Sequence, residues 1–316
     1  MMVMDTLRQI LEKINTRVNF DGVIKFDEPM SLHTSFKIGG PADVYIKPDK
    51  TAFSEYVPLL LKTAGENNIP LFILGAGANI LVSDRGIRGI VLDTGSWKGI
   101  DYDVSEQAVK VLSGTSIDEL VDTLADAGLS GLEFLAGMPG SAGGSVWMNA
   151  RCYEKSISDV LIETEILDEE QNRMIIPFKM SDFSYKKSPF QERNVFILSA
   201  SFSTVKKEPE LIKKDNECYR KDRTEKGHYS FPSAGSTFKN NHAFGEPTGK
   251  IIDKAGMKGL QIGGAQVAPW HGNIIINKDN ARAVDVRMLI DKITEKIREE
   301  RGFELEREVL YIGEWE

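Results

Sequence analysis

An apolar strand signal, LFIL at 71–74, runs into the glycine turn GAGAN and straight on into a second apolar run, ILV at 80–82. Glycines at 75 and 77 let the backbone approach a partner closely, and successive N–H groups in such a turn cradle phosphate oxygens. A dinucleotide-binding βαβ unit needs a third glycine and the start of a helix at this point. The string here is GxGxxI and its apolar continuation reads as strand, so that unit is disfavoured; a bare structural turn is the plain alternative. Further strand signals (ADVYIK, GIVLD, AVKVLS, VLIETEIL, MIIPF, VFILSASF) alternate irregularly with helical stretches such as TAFSEYVPLLLKTAGENN and SIDELVDTLADAG. That is a mixed half of α+β type without a regular βαβ repeat.

A second glycine-rich run, GMPGSAGGSVWMN at 137–149, reads as a Pro-Gly turn leading through small residues into a helix. A helix N-terminus offers unpaired N–H donors and partial positive charge to an anion. The two runs together predict a diphosphate-bearing cofactor gripped between two subdomains, with Gly75, Ala76, Gly77, Ala78 and Asn79 on one loop and Gly137, Gly140, Ser141, Gly143 and Gly144 on the other.

Three further segments carry polar chemistry. FSYKKSPF at 183–190 sets Tyr185, Lys186 and Ser188 at a turn, where Lys186 can neutralise a carboxylate or phosphate; a solvated turn between strands is the bland reading. PSAGSTFKNN at 232–241 combines the Ser236 hydroxyl with Lys239 and Asn240, which suit a proton donor and anion or amide contacts, against a simple capping turn. Without a GxSxG setting, Ser236 does not read as a hydrolase nucleophile. In the closing strand EREVLYIG, period-two alternation puts Glu306 and Glu308 on one face with Leu310 and Ile312. A carboxyl on a buried face needs a partner or a raised pKa.

The most polar stretch, 205–228, comes after an apolar run and predicts a boundary near 205, after which the remainder forms an α+β domain. There TGKIIDKAG reads as a short helix ending at Gly256, NIIIN as a strand, and 281–301 as an amphipathic helix burying Val284, Val286, Leu289, Ile290, Ile293 and Ile297. The N-terminus sets Leu7, Ile10, Leu11, Ile14 and Val18 at helical spacing between charges, which is neither a signal peptide nor a membrane span. The net charge of −8 gives no reason to expect nucleic acid. Cys152 and Cys218 lack metal or disulfide spacing, and the four histidines show no i, i+4 pairing, so free thiols, a reducing compartment and no metal site are expected. A cytoplasmic monomer without membrane or nucleic-acid partners is the default.

Taken in order, LHTSFKIGGPAD, LGAGANILVSDRGIRGIVLD, GLEFLAGMPGSAGGSVWMNA, SYKKSPF, PSAGSTFKN, TGKIIDKAGMKGLQIGGAQV, HGNIIINKDNARAVDV and LEREVLYIG resemble the UDP-N-acetylenolpyruvoylglucosamine reductase (MurB) family, of the type lacking an extra substrate-covering insertion. The resemblance runs from about residue 30 to residue 313. It implies a lead-in at 1–28, a two-subdomain FAD-binding domain of the vanillyl-alcohol oxidase type at 29–205, and a substrate-binding α+β domain at 206–316. It implies noncovalent FAD reduced by NADPH, and UDP-N-acetylglucosamine enolpyruvate reduced at C3 and protonated at C2 to UDP-N-acetylmuramate. By the same resemblance Ser236 matches the protonating serine and Glu308 the glutamate of the closing strand. Tyr185 precedes the position of an arginine that steadies the enol-like charge, here Lys186, and Arg223 is carried over as a diphosphate contact.

The chain departs from the family pattern at several points. Lys186 cannot make an arginine's planar two-pronged contact. RCYEKS at 151–156 replaces a small, glycine-rich GAYGGE stretch, KGH at 226–228 stands where a Gln-Pro pair is usual, and Asn241 replaces a proline. The sequence leaves open two alternatives: another FAD-dependent oxidoreductase on the same flavin domain, and a nucleotide-sugar-binding protein that has lost turnover.

Overall fold

The structure, a computed structural model, describes residues 2–315. The chain divides into two compact units: unit 1 comprises 1–25, 44–76 and 89–221, and unit 2 comprises 26–43, 77–88 and 222–316.

Unit 1 opens with helix α1 (Met2–Arg17), whose Leu7, Leu11 and Ile14, with Val18 just beyond it, are buried as their spacing predicts. Helix α2 (Phe53–Glu66) buries Phe53, Tyr56, Val57, Leu60 and Ala64 at the i, i+3, i+4 positions. The strand Leu71–Leu74 pairs in parallel with the segment ending at Asp93, in the register Leu71 to Ile90 through Leu74 to Asp93. A five-stranded antiparallel sheet is ordered Arg173–Pro177, Leu161–Leu167, Phe196–Ser203, Ala108–Leu112, Ile100–Asp103. Helix α3 (Ile117–Asp126) starts at Ser116, whose hydroxyl accepts the Glu119 N–H at 3.2 Å, and buries Ile117, Leu120, Val121, Leu124 and Ala125. These side chains share one core with Val109, Phe134, Val146, Phe190 and Phe202. Helix α4 (Ala142–Trp147) continues from the second glycine run, and α5 (Pro209–Glu225) carries the chain into unit 2.

The boundary expected near 205 lies within unit 1. Val205–Lys206 pairs antiparallel with Leu129–Ser130, and Asn216 on α5 donates to the Val121 carbonyl at 3.2 Å, so the polar stretch is fastened to this unit before the chain leaves it.

Unit 2 holds an antiparallel sheet ordered Ser233–Ser236, Ile274–Asn277, Ala265–Val267, Gln261–Ile262. Helix α6 (Thr248–Lys254) ends at Ala255 before Gly256, whose φ of +70° suits glycine. Helix α7 (Ala283–Arg301) buries Ala283, Val286, Leu289, Ile290, Ile293 and Ile297. Val284, expected on that side, is 36% exposed: the helical repeat sets Ala283, three residues before Val286, on the buried stripe and turns Val284 away. The closing strand Leu310–Ile312 runs parallel to Ile80–Val82, pairing Leu310 with Ile80, Tyr311 with Leu81 and Ile312 with Val82. Phe36, Ile38 and Leu81 join the α7 side chains in one core.

Candidate active site

In unit 1 the two glycine runs meet. A Cβ at Gly75 would lie 2.5 Å from the Ser141 hydroxyl oxygen, so a side chain there would have to displace that hydroxyl. The amides expected to greet a phosphate at the start of α4 are largely used inside the protein. Ala142 N–H donates to the Thr115 carbonyl at 2.9 Å, Gly143 to the Ser113 carbonyl at 2.8 Å, and Gly144 to the Ser141 hydroxyl at 3.3 Å. Gly143 is required for close packing, since a Cβ would come within 2.6 Å of Ser113 Cβ. Gly137, with φ +73°, donates to the Asp118 carboxylate at 2.9 Å. Among the described residues the amides of Gly75, Ala76, Gly140 and Ser141 donate to no protein oxygen, which leaves them available to an acceptor from outside the chain.

The Tyr185–Lys186 pair occupies the tip of a tight turn. Ser184 and Lys187 exchange backbone hydrogen bonds of 3.2 and 3.1 Å, and Lys186 takes a φ of +57°, a conformation that glycine or asparagine adopts more readily. Strain of this kind persists only where the surroundings over-determine it. Here they do: buried Asn149 donates to the Ser184 carbonyl at 2.8 Å and accepts from the Ser158 amide at 3.1 Å. Gln191 donates to the carbonyls of Lys186 (3.1 Å) and Trp147 (3.0 Å), and the Ser188 hydroxyl reaches the Trp147 carbonyl at 2.6 Å. The turn is thereby tied to the end of α4 and the residues just after it. Half-buried Lys186 donates from Nζ to the Arg151 carbonyl at 3.4 Å, while Tyr185 is 38% exposed.

In unit 2, Gly77 has φ +63° and a Cβ there would fall 2.1 Å from the His33 carbonyl. The amides of Gly77 and Ala78 donate to no oxygen among the described residues. Asn79 is drawn into the scaffold: its side-chain amide donates to the Glu308 carbonyl at 3.1 Å and its own carbonyl accepts the Leu310 amide at 3.1 Å.

Ser236 ends its strand, half-buried, opposite Ile274. The next residue, Thr237, accepts at one carbonyl from both Glu308 N–H (2.8 Å) and Val309 N–H (3.4 Å), and Lys239 N–H donates to the Glu306 carbonyl at 2.8 Å. Ser236 and Glu308 are thus one residue apart across neighbouring chain segments. The regular strand begins only at Leu310, so strict alternation does not hold before it. Glu308 and Val309 are both buried, whereas the Glu306 side chain is 68% exposed and pairs with Lys239 Nζ at 2.6 Å. The two glutamates do not share a face, contrary to strict period-two reading. Asn240 accepts the Thr248 amide at 2.9 Å, a capping role at the start of α6.

Arg223, in the last turn of α5, is buried in unit 2. Burial first, then the positive charge of Arg223 and the neighbouring His271, pushes the His228 pKa down to about 4. Cys152 and Cys218 are both free thiols. Sequence reasoning missed Asn149, whose position after an apolar helix gave no hint of the distant carbonyl it meets. It also missed Ser35, which donates to the Ser233 carbonyl at 2.7 Å in unit 2.

The sequence and fold both have relatives. A family model described as FAD binding domain matches residues 43–174, and one described as UDP-N-acetylenolpyruvoylglucosamine reductase, C-terminal domain, matches 227–312. The chain is 43% identical to the UDP-N-acetylenolpyruvoylglucosamine reductase of Treponema denticola, over 99% of this chain and 100% of that one. The chain belongs to the UDP-N-acetylenolpyruvoylglucosamine reductase family. It is 40% identical to the Borreliella burgdorferi reductase, with 98% of each chain covered. The crystal structure of the Thermus caldophilus reductase (MurB) superposes with a TM-score of 0.75 at 29% identity, over 93% of this chain and 99% of that one. Membership extends over both units, so the C-terminal segments PSAGSTFKN and LEREVLYIG lie in the part that characterises these reductases.

Proposed function

We propose that the protein reduces UDP-N-acetylglucosamine enolpyruvate to UDP-N-acetylmuramate, using noncovalent FAD and NADPH, as a cytoplasmic monomer in peptidoglycan precursor synthesis. The observation that carries this reading is the kinship with these reductases over nearly the whole chain, and the backbone bonds from Glu308 and Val309 to Thr237, next to Ser236, are consistent with it. An alcohol-oxidising flavoenzyme would have no use for the reductase C-terminal domain that 227–312 matches.

The residues fit a diphosphate-bearing cofactor. In unit 1, Gly75, Ala76, Gly140 and Ser141 carry backbone amides without a protein acceptor, and Gly75 and Gly140 add no Cβ; in unit 2 the same holds of the amides of Gly77 and Ala78. Bound FAD supplies hydride chemistry between NADPH and the enol ether. The chain supplies the rest. Ser236 Oγ delivers a proton to C2 of the enolpyruvyl group. The Lys186 ammonium is assigned to the negative charge that builds on the substrate carboxylate, and Glu308 is assigned a polar contact to the substrate. Arg223 and Tyr185 are assigned to the diphosphate and the substrate border.

Anaerobic spectroscopy of purified protein tests the assignment. The visible flavin bands should bleach on adding NADPH and return on adding the enolpyruvyl UDP-sugar. A colourless protein that takes up no FAD, or a bleached one that the sugar leaves unchanged, overturns it.

A further inference from the structure

Position 151, glycine in the pattern typical of this family, is an arginine here, and it lies beside the turn whose arginine has become Lys186. Arg151–Cys152 and Lys155–Ser156 form a two-residue hairpin, with Arg151 opposite Ser156. Its turn residues, Tyr153 and Glu154, both take positive φ, +49° and +63°, where a glycine-rich loop would be unstrained. The strained hairpin fixes the arginine: Nη1 donates to the Ser156 hydroxyl at 3.3 Å, and Cζ lies 6.0 Å from the Tyr185 ring centroid. The Arg151 carbonyl in turn accepts the Lys186 ammonium at 3.4 Å. Arg151 is half-buried, and among the described residues its guanidinium meets the Ser156 hydroxyl and the Tyr185 ring and no carboxylate.

A half-buried guanidinium with no carboxylate beside it keeps donors available to an anion. Its planar fork matches a carboxylate with two parallel hydrogen bonds, which an ammonium cannot do. We propose that Arg151 is a substrate-binding residue that grips the carboxylate of the enolpyruvyl group jointly with Lys186, supplying the guanidinium that the Tyr185–Lys186 turn lacks. The two departures from the family pattern are then one compensated exchange, with Glu154 and Tyr153 accepting backbone strain so that the side chain is aimed. The inference rests on the proposed reaction and adds to it a residue in the position of a family glycine.

The test separates the two claims. With wild-type protein, failure of the enolpyruvyl UDP-sugar to reoxidise NADPH-reduced flavin removes the proposed function, and this inference with it. Given a competent wild type, titration calorimetry compares UDP-N-acetylmuramate, which bears the carboxylate, with UDP-N-acetylglucosamine, which lacks it. Arg151→Ala should weaken the first by about 10- to 100-fold, the weight of a charge-assisted hydrogen bond, and leave the second within about twofold. Lys186→Arg in the Arg151→Ala background should regain most of the loss. Arg151→Gln, which keeps much of the side-chain length without the charge, repeats the comparison if the alanine variant melts early. Equal weakening of both ligands, an effect confined to flavin reduction by NADPH, or no change for either overturns the assignment while leaving the reductase activity standing.

Discussion

Ser236 stands at the end of a strand, one residue before the carbonyl that holds Glu308, so its hydroxyl can be removed without disturbing the backbone bonds of Thr237. Replacing Ser236 by alanine should lower kcat for the enolpyruvyl sugar by about 10²- to 10⁴-fold, the usual contribution of a positioned proton donor, while flavin bleaching by NADPH persists in stopped-flow traces. Cysteine at the same position, still an acid, should retain more turnover than alanine. Asn149 acts one step removed. It is 2% exposed, and its amide ties the Ser184 carbonyl to the Ser158 N–H from a backbone φ of +44°. Asn149→Ala leaves the Ser158 amide without its acceptor, while the Ser184 carbonyl keeps the Lys187 N–H, and should cost about 1–3 kcal/mol in urea unfolding. It should also reduce turnover, because the turn carrying Lys186 loses its tether. Neither consequence is visible in the string WMNA, since the partners lie 35 and 9 residues away in sequence.

At the scale of elements, periodicity was a good guide where one face meets one core. The α7 stripe from Val286 to Ile297 and the buried face of α3 come directly from residue spacing. Two things were not legible there. Val284 lies outside the stripe because its neighbour Ala283 is small enough to pass unnoticed yet occupies the buried position. The cap of α7 is also remote: Arg282 has no acceptor to offer, and Asp84 instead accepts the amides of Ala283 at 2.8 Å and Val284 at 3.0 Å, all within unit 2. A carboxylate at that end also meets the positive pole of the helix. Asp84→Ala should therefore lower stability by about 1–2 kcal/mol, measured by urea unfolding, although Asp84 is almost 200 residues from the helix it caps. The closing segment failed for a different reason: the regular strand begins only at Leu310, so a period-two count does not apply to Glu306 and Glu308 before it.

For the molecule as a whole, the glycine runs and the order of strand and helix signals could be read from the chain, whereas the division into units could not. A sequence boundary is sought as one polar stretch, but here the chain passes between units at 25/26, 43/44, 76/77, 88/89 and 221/222. Stability against acid is one global property with a local origin. Because His228 has a pKa of about 4 in the folded protein against 6.5 for the free side chain, the unfolded chain takes up a proton that the native one refuses. Stability should thus fall as pH drops from about 6.5 toward about 4. His271, lowered in the same direction by burial, adds to the trend. Melting curves across that range should be flatter for His228→Gln than for the wild type, and parallel slopes would refute the assignment.

The division into units also decides which pieces can stand alone. A fragment cut at the apparent sequence boundary, 206–316, would keep α6, α7 and the sheet of unit 2 but lose 26–43 and 77–88. Those segments bring Phe36, Ile38 and Leu81 to the core, the Ile80–Val82 strand to Leu310–Ile312, and the Asp84 carboxylate to α7. Removing three buried apolar side chains costs about 2–5 kcal/mol each, which together matches or exceeds the whole stability of a typical domain. The fragment should therefore show no cooperative unfolding transition by circular dichroism, whereas the full chain does. A fragment that unfolds sharply would mean that the C-terminal segment holds a core of its own, and that the inserted segments serve the site and not the fold.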